Sequence, residues 1–314
     1  MSLDQLVSDL ADMIAPDRST TSSIELNSVA KSWGAVDILY RSQQMHGYTE
    51  WTARGPVIQL SVAKTEGRRR FALAHESAHL VLDPLLRPNT LDVWGQLSGA
   101  ARIEFVKSRL GVRAMELVKV ISQRLPVEDF CNKIAVELLV PSAALLETGD
   151  VTGHGFAAIE NGCRTFKVSL SLMVNRLNDV GYGHTLLRMA PSRNGSWIVT
   201  STAGLASRHR VRMILSNSTG ATLFEMPISR RDECIPARIA VELELRNASY
   251  TMPMEVVRRK DTVFALVEKR ALRSALRTSS GRAEQSISEH PHSREARDSS
   301  PDPKQRPSEC VGAR

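Results

Sequence analysis

The sequence has few of the features that mark membrane-spanning, secreted or disulfide-rich proteins. Only 5% of its 314 residues are aromatic, and its four cysteines are far apart and form no C-x-x-C pair. Widely spaced cysteines are typical of free thiols in a reducing compartment. No apolar run approaches the roughly 20 residues that a membrane span needs, and the acidic, amphipathic first residues are unlike a signal peptide. We therefore expect a cytoplasmic protein without a membrane partner.

The charge balance is basic but does not identify a partner. The formal net charge is +7 at pH 7 and the isoelectric point is near 9.5. Such a balance permits contact with nucleic acid or with an acidic protein and requires neither. Much of the excess is scattered arginine, which favours a solvated basic surface. Nucleic acid is therefore a possible but not a favoured partner, and no pattern in the sequence sets an oligomeric state.

The most informative stretch is FALAHESAHLVLD at residues 71–83, which contains the H-E-x-x-H pattern of His75, Glu76 and His79. Residues four apart lie on one face of a helix, so both imidazoles can bind one ion. Glu76 follows by about 100° of rotation, which lets its carboxylate lean over that ion. A catalytic zinc ion accepts histidine nitrogens and keeps one position for water. We expect this helix to end at Asp83, because the residue before Pro84 is disfavoured in helical conformation.

Two histidines leave a catalytic zinc site one protein ligand short of the usual three. Pro126 opens a helix, and Glu128 stands at the start of the apolar stripe of that helix. A carboxylate at the head of a buried stripe needs a partner, which a metal would supply. An equally good interpretation is that Glu128 is an N-terminal carboxylate that interacts with the helix dipole. Glu137 lies off that stripe and should be solvated, and Cys131 is more typical of a buried thiol than of a ligand. The downstream candidates are Asp83, Asp92, Glu104, Glu116, Glu128, Asp129, Glu137 and His154.

Two segments together resemble a known family. RRRFALAHESAHLVL at 68–82 and EDFCNKIAVELLVP at 128–141 look like the paired motifs of the ImmA/IrrE zinc metallo-endopeptidases, and the resemblance covers roughly residues 24–181. It implies that His75, His79 and Glu128 bind zinc and that Glu76 is the general base. It also implies that Asn132 is a hydrogen-bonding neighbour of the ligands. The departures, which are Ile134, Ser77 and a longer connection over 84–125, concern the fit of the substrate more than metal binding.

The resemblance implies a cytoplasmic zinc-dependent endopeptidase, a hydrolase of peptide bonds, although manganese or iron would also suit the ligands. Its protein substrate would be a helix-turn-helix repressor, whose cleavage controls gene expression, for example in a stress response. The alternative is a non-catalytic DNA-binding or ligand-sensing regulator with a structural or vestigial metal site. Structural zinc sites normally have four protein ligands, which argues against that alternative. The residue that stabilises the oxyanion stays open among Tyr48, His46 and Arg70.

The remaining patterns predict an α+β fold that begins with a zincin-like helical domain containing a small sheet. Strand-like segments at 36–41 and 56–62 precede the H-E-x-x-H helix. Residues 162–181 have the outline of a helix-turn-helix, but Arg176 is the one cation of its second element (169–180), so a structural corner is favoured over DNA binding. The predicted units are an N-terminal segment (1–21), the zinc metallopeptidase domain (22–150), the helix-turn-helix-like segment (151–183), a β-rich domain of sensor or regulatory type (184–272) and a disordered tail (273–314).

Overall fold

The computed structural model describes residues 2–18, 22–52, 54–86, 99–147, 155–192, 197–204, 213–215, 237–245, 248–259 and 262–275. Within them the fold is α+β, with a helical half that contains a small sheet and a β-rich half that follows it. The predicted fold class is therefore confirmed. Residues 273–275 of the predicted tail are helical, as part of a helix over 269–275, and the rest of the tail, from 276 onward, lies outside the described residues.

Helices form most of the first 180 residues. In the part of the chain that is described, no helix is long and apolar enough to cross a membrane. The helices are α1 (Leu3–Ile14), α2 (Leu26–Ser32), α3 (Glu66–Leu86), α4 (Gly99–Ser122, interrupted by non-helical backbone at Gly111), α5 (Val127–Leu139), α6 (Ser142–Glu147), α7 (Phe156–Phe166) and α8 (Leu170–Asp179).

The small sheet has the strand order β1-β3-β2, with β1 (Asp37–Arg41) parallel to β3 (Gly55–Ser61) and β2 (Gly47–Thr52) antiparallel to β3. The sequence indicated β1 and β3 but not β2. Every residue of β2 is at least partly exposed, so the strand lacks the apolar alternation on which a sequence-based prediction depends.

Helix α3 lies at the centre of the helical half, between the sheet and α5. Its buried residues include Ala74, Ala78 and Leu82. The prediction that it ends at Asp83 is wrong, because the helix continues to Leu86 with Pro84 inside it. Proline cannot donate to the carbonyl four residues earlier. That carbonyl, on Leu80, instead accepts a hydrogen bond from Arg102 Nη2 at 3.0 Å.

The helical corner of α7 and α8 has the predicted two-helix outline. Lys167 ends α7 with a left-handed backbone (φ 51°), and the Ser169 side chain caps α8 by accepting from Leu172 N at 3.3 Å. Arg176 of α8 is buried and forms an ion pair with Glu137 of α5. The expectation that Glu137 is solvated is therefore wrong. The pattern of one helix does not show that cationic side chains from other elements contact it.

The β-rich half is a closed antiparallel barrel in which β4 also pairs with β9. Its interior is apolar and includes Met189, Trp197 and Met252. The barrel contacts the helical corner through Glu255, which accepts from Phe156 N at 2.9 Å. The strands are β4 (His184–Pro191), β5 (Trp197–Ala203), β6 (Met213–Leu215), β7 (Ala237–Leu245), β8 (Ala248–Arg259) and β9 (Thr262–Glu268).

Candidate metal centre

Helices α3 and α5 bring His75, His79 and Glu128 together. The two histidines lie one turn apart on α3, and their Nε2 atoms are 3.0 Å apart. Glu128 is in the first turn of α5, and its Oε2 atom lies 3.4 Å from each of these nitrogens. All three ligand atoms lie within 4.8 Å of one another. The predicted ligands therefore form one cluster of two imidazole nitrogens and a carboxylate oxygen.

The cluster is buried on the α3 side and accessible on the α5 side. The side chains of His79 and His75 are 9% and 16% exposed, whereas the side chain of Glu128 is 58% exposed. Solvent and a substrate can therefore approach past Glu128. A closed structural site would not need such an approach.

The two histidines have opposite pKa shifts. Burial lowers the pKa of His75, and the neighbouring His79 adds to the effect, although Glu128 and Asn132 oppose it. Burial alone would also lower the pKa of His79, but Asp83 and Cys131 raise it to about 11. The Asp83 contact is short, with Oδ1 3.0 Å from His79 Nδ1. The neighbours of His79 thus favour a proton on its ring, whereas burial disfavours one on His75.

The contacts of the cluster fit a divalent cation. Asp83 fixes a proton on His79 Nδ1, so when the ring is neutral its Nε2 lone pair faces His75 Nε2 and Glu128. Two imidazole nitrogens and a carboxylate oxygen that converge within 3.4 Å of one another can all bind one divalent ion. A carboxylate behind a ligating histidine is also common in metalloproteins. The donor set of two nitrogens and one oxygen suits zinc.

Glu76 lies beside the cluster but does not belong to it. It is 7% exposed, and its Oε2 accepts a hydrogen bond from Thr49 Oγ1 on β2 at 2.8 Å. Burial raises the pKa of Glu76, and the Thr49 hydrogen bond partly opposes the shift. Thr49 could not be identified from the sequence, because β2 itself was not recognised.

The other residues of the predicted site are placed as follows. Asn132 is exposed on α5 and is a neighbour of His75. His75 Nδ1 is buried and has no hydrogen-bond partner among the described residues. Cys131 is fully buried beside His79 and is not part of the three-residue cluster. Among the alternative third ligands, Glu104, Glu116 and Asp129 do not join it either, whereas Asp92 and His154 lie outside the described residues.

The candidates for oxyanion stabilisation are not all near the cluster. Arg70 donates to the carbonyl of Ile24 at 2.9 Å. It precedes His79 by nine residues, or two and a half helical turns, so it lies on the opposite face of α3 from His79. Tyr48 precedes Thr49 on β2, so its side chain points to the other face of the sheet. His46 is exposed before β2. Arg70 and Tyr48 thus point away from the cluster.

Comparison with known proteins agrees with the resemblance in the sequence. Residues 34–178 match a peptidase family described as the IrrE N-terminal-like domain. No curated protein sequence matches the chain. Among solved structures, a Mycobacterium tuberculosis transcriptional regulator matches with 12% identity and a TM-score of 0.43, over 89% of this chain and 80% of that chain. The family match includes α3 and α5. Residues 34–178 are therefore similar to the IrrE N-terminal-like domain of this peptidase family.

Proposed function

We propose that this protein is a cytoplasmic metal-dependent endopeptidase of the ImmA/IrrE type. The observation that carries the proposal is the accessible cluster of His75, His79 and Glu128 with the buried Glu76 beside it. We propose zinc as the metal, with manganese or iron as other possible occupants. When bound, zinc would lower the pKa of a water molecule and polarise the carbonyl of the peptide bond. The free thiols of Cys131 and Cys163 suit a reducing compartment.

Glu76 is the proposed general base. Thr49 holds its Oε2 atom, which leaves Oε1 to take a proton from the attacking water. Because burial raises the pKa of this carboxyl group, Glu76 accepts a proton closer to neutral pH than an exposed glutamate does. It then donates the proton to the leaving amine. The protein's own contribution to this step is to hold one carboxylate beside the metal ligands in a buried position.

The substrate is proposed to bind as an extended segment along β2. Ser61 N donates to His46 O at 3.1 Å. His46 and Ser61 therefore form a hydrogen-bonded pair that continues the antiparallel register of β2 and β3. Since such pairs alternate, the backbone groups of Gly47, Thr49 and Trp51 point away from β3. No described strand covers this edge, and a peptide can add to it as a further strand. Thr49 thereby links the substrate edge to Glu76.

The identity of the substrate rests on the family resemblance, which favours a helix-turn-helix repressor. DNA binding by the protein itself is the less favoured function. Arg176 is the one cation in the second element of the helical corner, and its side chain is 8% exposed and paired with Glu137. A buried arginine is not available to contact a phosphate group.

The test compares wild-type protein with Glu76→Gln on a cell extract in which new protein N-termini are labelled and identified. We expect a new terminus in a helix-turn-helix repressor with the wild type, and a rate lower by about 10²–10⁴-fold with Glu76→Gln. Both proteins should contain the same amount of zinc by elemental analysis. Cleavage of the purified repressor at an unchanged rate by Glu76→Gln would refute the mechanism. Cleavage that survives removal of the metal by a chelator would refute the metal dependence.

A further inference from the structure

Arg102 lies in the connection between the two metal-binding helices and donates to the one α3 carbonyl that Pro84 leaves without its helical partner. We propose that Arg102 is a positioning residue that closes the turn of α3 carrying His79 and Asp83. The inference rests on the proposed function, because the geometry that Arg102 would maintain is that of a metal ligand. The connection in question, residues 84–125, is longer than the family resemblance predicts, so this contact belongs to an unusual part of the chain.

The first step of the argument is the break in the helical hydrogen bonds. Pro84 is buried inside α3 and has no N–H group to donate to Leu80 O. A proline ring also pushes the carbonyl four residues earlier away from the helix axis. Arg102 Nη2 lies 3.0 Å from this carbonyl oxygen and donates to it. A side chain of α4 therefore supplies the hydrogen bond that the α3 backbone cannot make.

The second step is the position of that carbonyl. Leu80 directly follows His79, and Asp83 directly precedes Pro84. The turn that Arg102 closes is therefore the turn in which Asp83 Oδ1 contacts His79 Nδ1 at 3.0 Å. A proline kink that opened further would move the carboxylate away from the imidazole. Arg102 opposes this movement without touching either side chain.

The third step is the way Arg102 is itself held. The same Nη2 atom donates to the carbonyl of Trp33 at the end of α2. The guanidinium lies 5.6 Å from the ring centre of Trp51 and 4.8 Å from that of Phe105. A Cβ atom added to Gly34 would stand 2.5 Å from Arg102 Nη1, so glycine leaves the space for the guanidinium. Burial lowers the pKa of Arg102 to about 10, which keeps it charged at neutral pH.

Arg109 provides a matched control because it makes the same kinds of contact except the one to α3. It lies two turns further along α4, stacks on Trp33 and Phe105, and donates to Ser32 O at the end of α2. Replacing either arginine by glutamine removes one positive charge and one contact with α2. Only Arg102→Gln also removes the hydrogen bond to Leu80 and the contact with the Trp51 ring, and the Pro84→Ala background separates these two losses.

The experiment measures the zinc affinity of the full chain by competition with a coloured chelator. Loss of groups that orient metal ligands typically weakens binding by 10–100-fold, and we expect Arg102→Gln to weaken it by about 10-fold. Arg102→Lys should restore part of the affinity, and Arg109→Gln should leave it unchanged. The absorption spectrum of the cobalt-substituted protein should shift for Arg102→Gln alone.

Pro84→Ala completes the test, since alanine returns an N–H group to the helix. In the Pro84→Ala background, Arg102→Gln should weaken zinc binding much less than in the wild type. Equal effects in both backgrounds, or equal effects of Arg102→Gln and Arg109→Gln, would overturn the inference and leave the proposed function standing. A wild-type protein that binds no zinc would overturn both. If Arg102→Gln does not fold, Arg102→Lys in the two backgrounds gives the same comparison.

Discussion

The two ends of helix α5 each carry a glutamate that meets groups from other elements, and the two sites are built in opposite ways. Glu128 at the first turn is 58% exposed and lies 3.4 Å from two histidine nitrogens. Glu137, nine residues later, is 3% exposed and forms ion pairs with Arg18 and Arg176. It also accepts hydrogen bonds from Ser8 Oγ at 3.1 Å and from the backbone N and Oγ of Ser142 at 2.9 and 3.0 Å.

The difference separates a carboxylate that is compensated within the fold from one that lies in a candidate metal site. Around Glu137 each carboxylate oxygen has at least two donors, and the charge of the carboxylate is compensated by two arginines from distant parts of the chain. Such a site joins α1, α5 and α8 and has no position for a further ligand. The Glu128 cluster instead brings acceptor atoms close together on an accessible surface, an arrangement that a metal ion satisfies. Burial with full compensation thus indicates stability, whereas exposure with convergent acceptors indicates binding.

The largest effect should come from Glu137→Ala. Removing one member of a buried ion pair typically costs about 3–5 kcal/mol. Without Glu137, the buried guanidinium groups of Arg18 and Arg176 would keep, among the described residues, only the exposed carboxylates of Asp12 and Asp179 as ion-pair partners. We expect a loss of this size in the free energy of unfolding, measured by urea denaturation of the metal-free protein. Glu137→Gln keeps the shape and an acceptor, so it should cost less than Glu137→Ala. A Glu137→Ala protein as stable as the wild type would mean that this ion-pair cluster does not hold the three helices together.

The matching change at the other end of α5, Glu128→Ala, should affect metal binding and not stability. Because loss of a group that only orients a ligand already costs 10–100-fold in affinity, loss of a direct ligand should cost at least about 100-fold. Its effect on the unfolding of the metal-free protein should stay within about 0.5 kcal/mol, as for other exposed positions. Elemental analysis of the zinc content of the wild type, Glu128→Ala and His79→Ala gives the measurement. Retention of zinc without Glu128 would show that the third ligand is another residue.

The same comparison shows how far sequence reasoning can reach. The spacing of His75 and His79 is a property of one helix, so periodicity predicts that they share a face. Glu128 comes from another helix, and the paired motifs of the family, rather than spacing, selected it from the candidates. Its role as a ligand stays a prediction, although the structure brings it to both histidines.

The parts that could not be predicted depend on contacts between distant residues. Glu137 looked solvated because a helical wheel does not show that Arg18 and Arg176 approach from other helices. Strand β2 lacks a buried face, so its pairing with β3 was invisible in the sequence. Pro84 was expected to end α3 because the rule for proline is local, and the compensating donor, Arg102, lies 18 positions away in the sequence on another helix.

A smaller effect is expected from Asp83→Asn, which leaves all three predicted ligands in place. Asp83 holds the Nδ1 proton of His79, and an amide is a weaker and neutral acceptor. Loss of a carboxylate that hydrogen-bonds to a ligating histidine typically weakens metal binding by 10–100-fold. Zinc should therefore bind to Asp83→Asn about 10-fold more weakly. Competition with a chelator provides the measurement. The control is Asp129→Asn, an exposed acid of the first turn of α5 that does not join the cluster.

The smallest effect should be a change in the pH dependence of stability in Glu76→Gln. Burial raises the folded-state pKa of Glu76 above its unfolded value. Folding therefore favours the protonated form of Glu76. Its contribution to the free energy of unfolding is present below the unfolded pKa and is lost as the pH rises through the folded pKa. Glutamine stays neutral and can still accept from Thr49, so the metal-free variant should become more stable than the wild type as the pH rises toward neutral.

The size of this gain should be of the order of 1 kcal/mol, as is usual for single substitutions, and it should disappear below about pH 4, where both side chains are neutral. Urea unfolding in the presence of a chelator, repeated between acid and neutral pH, measures it. Glu137→Gln should have the opposite sign at neutral pH, because its carboxylate is stabilised by two arginines. If both variants lost stability equally, Glu76 would be as well compensated as Glu137. Its burial would then not make it a better base, and its proposed role would lose its electrostatic support.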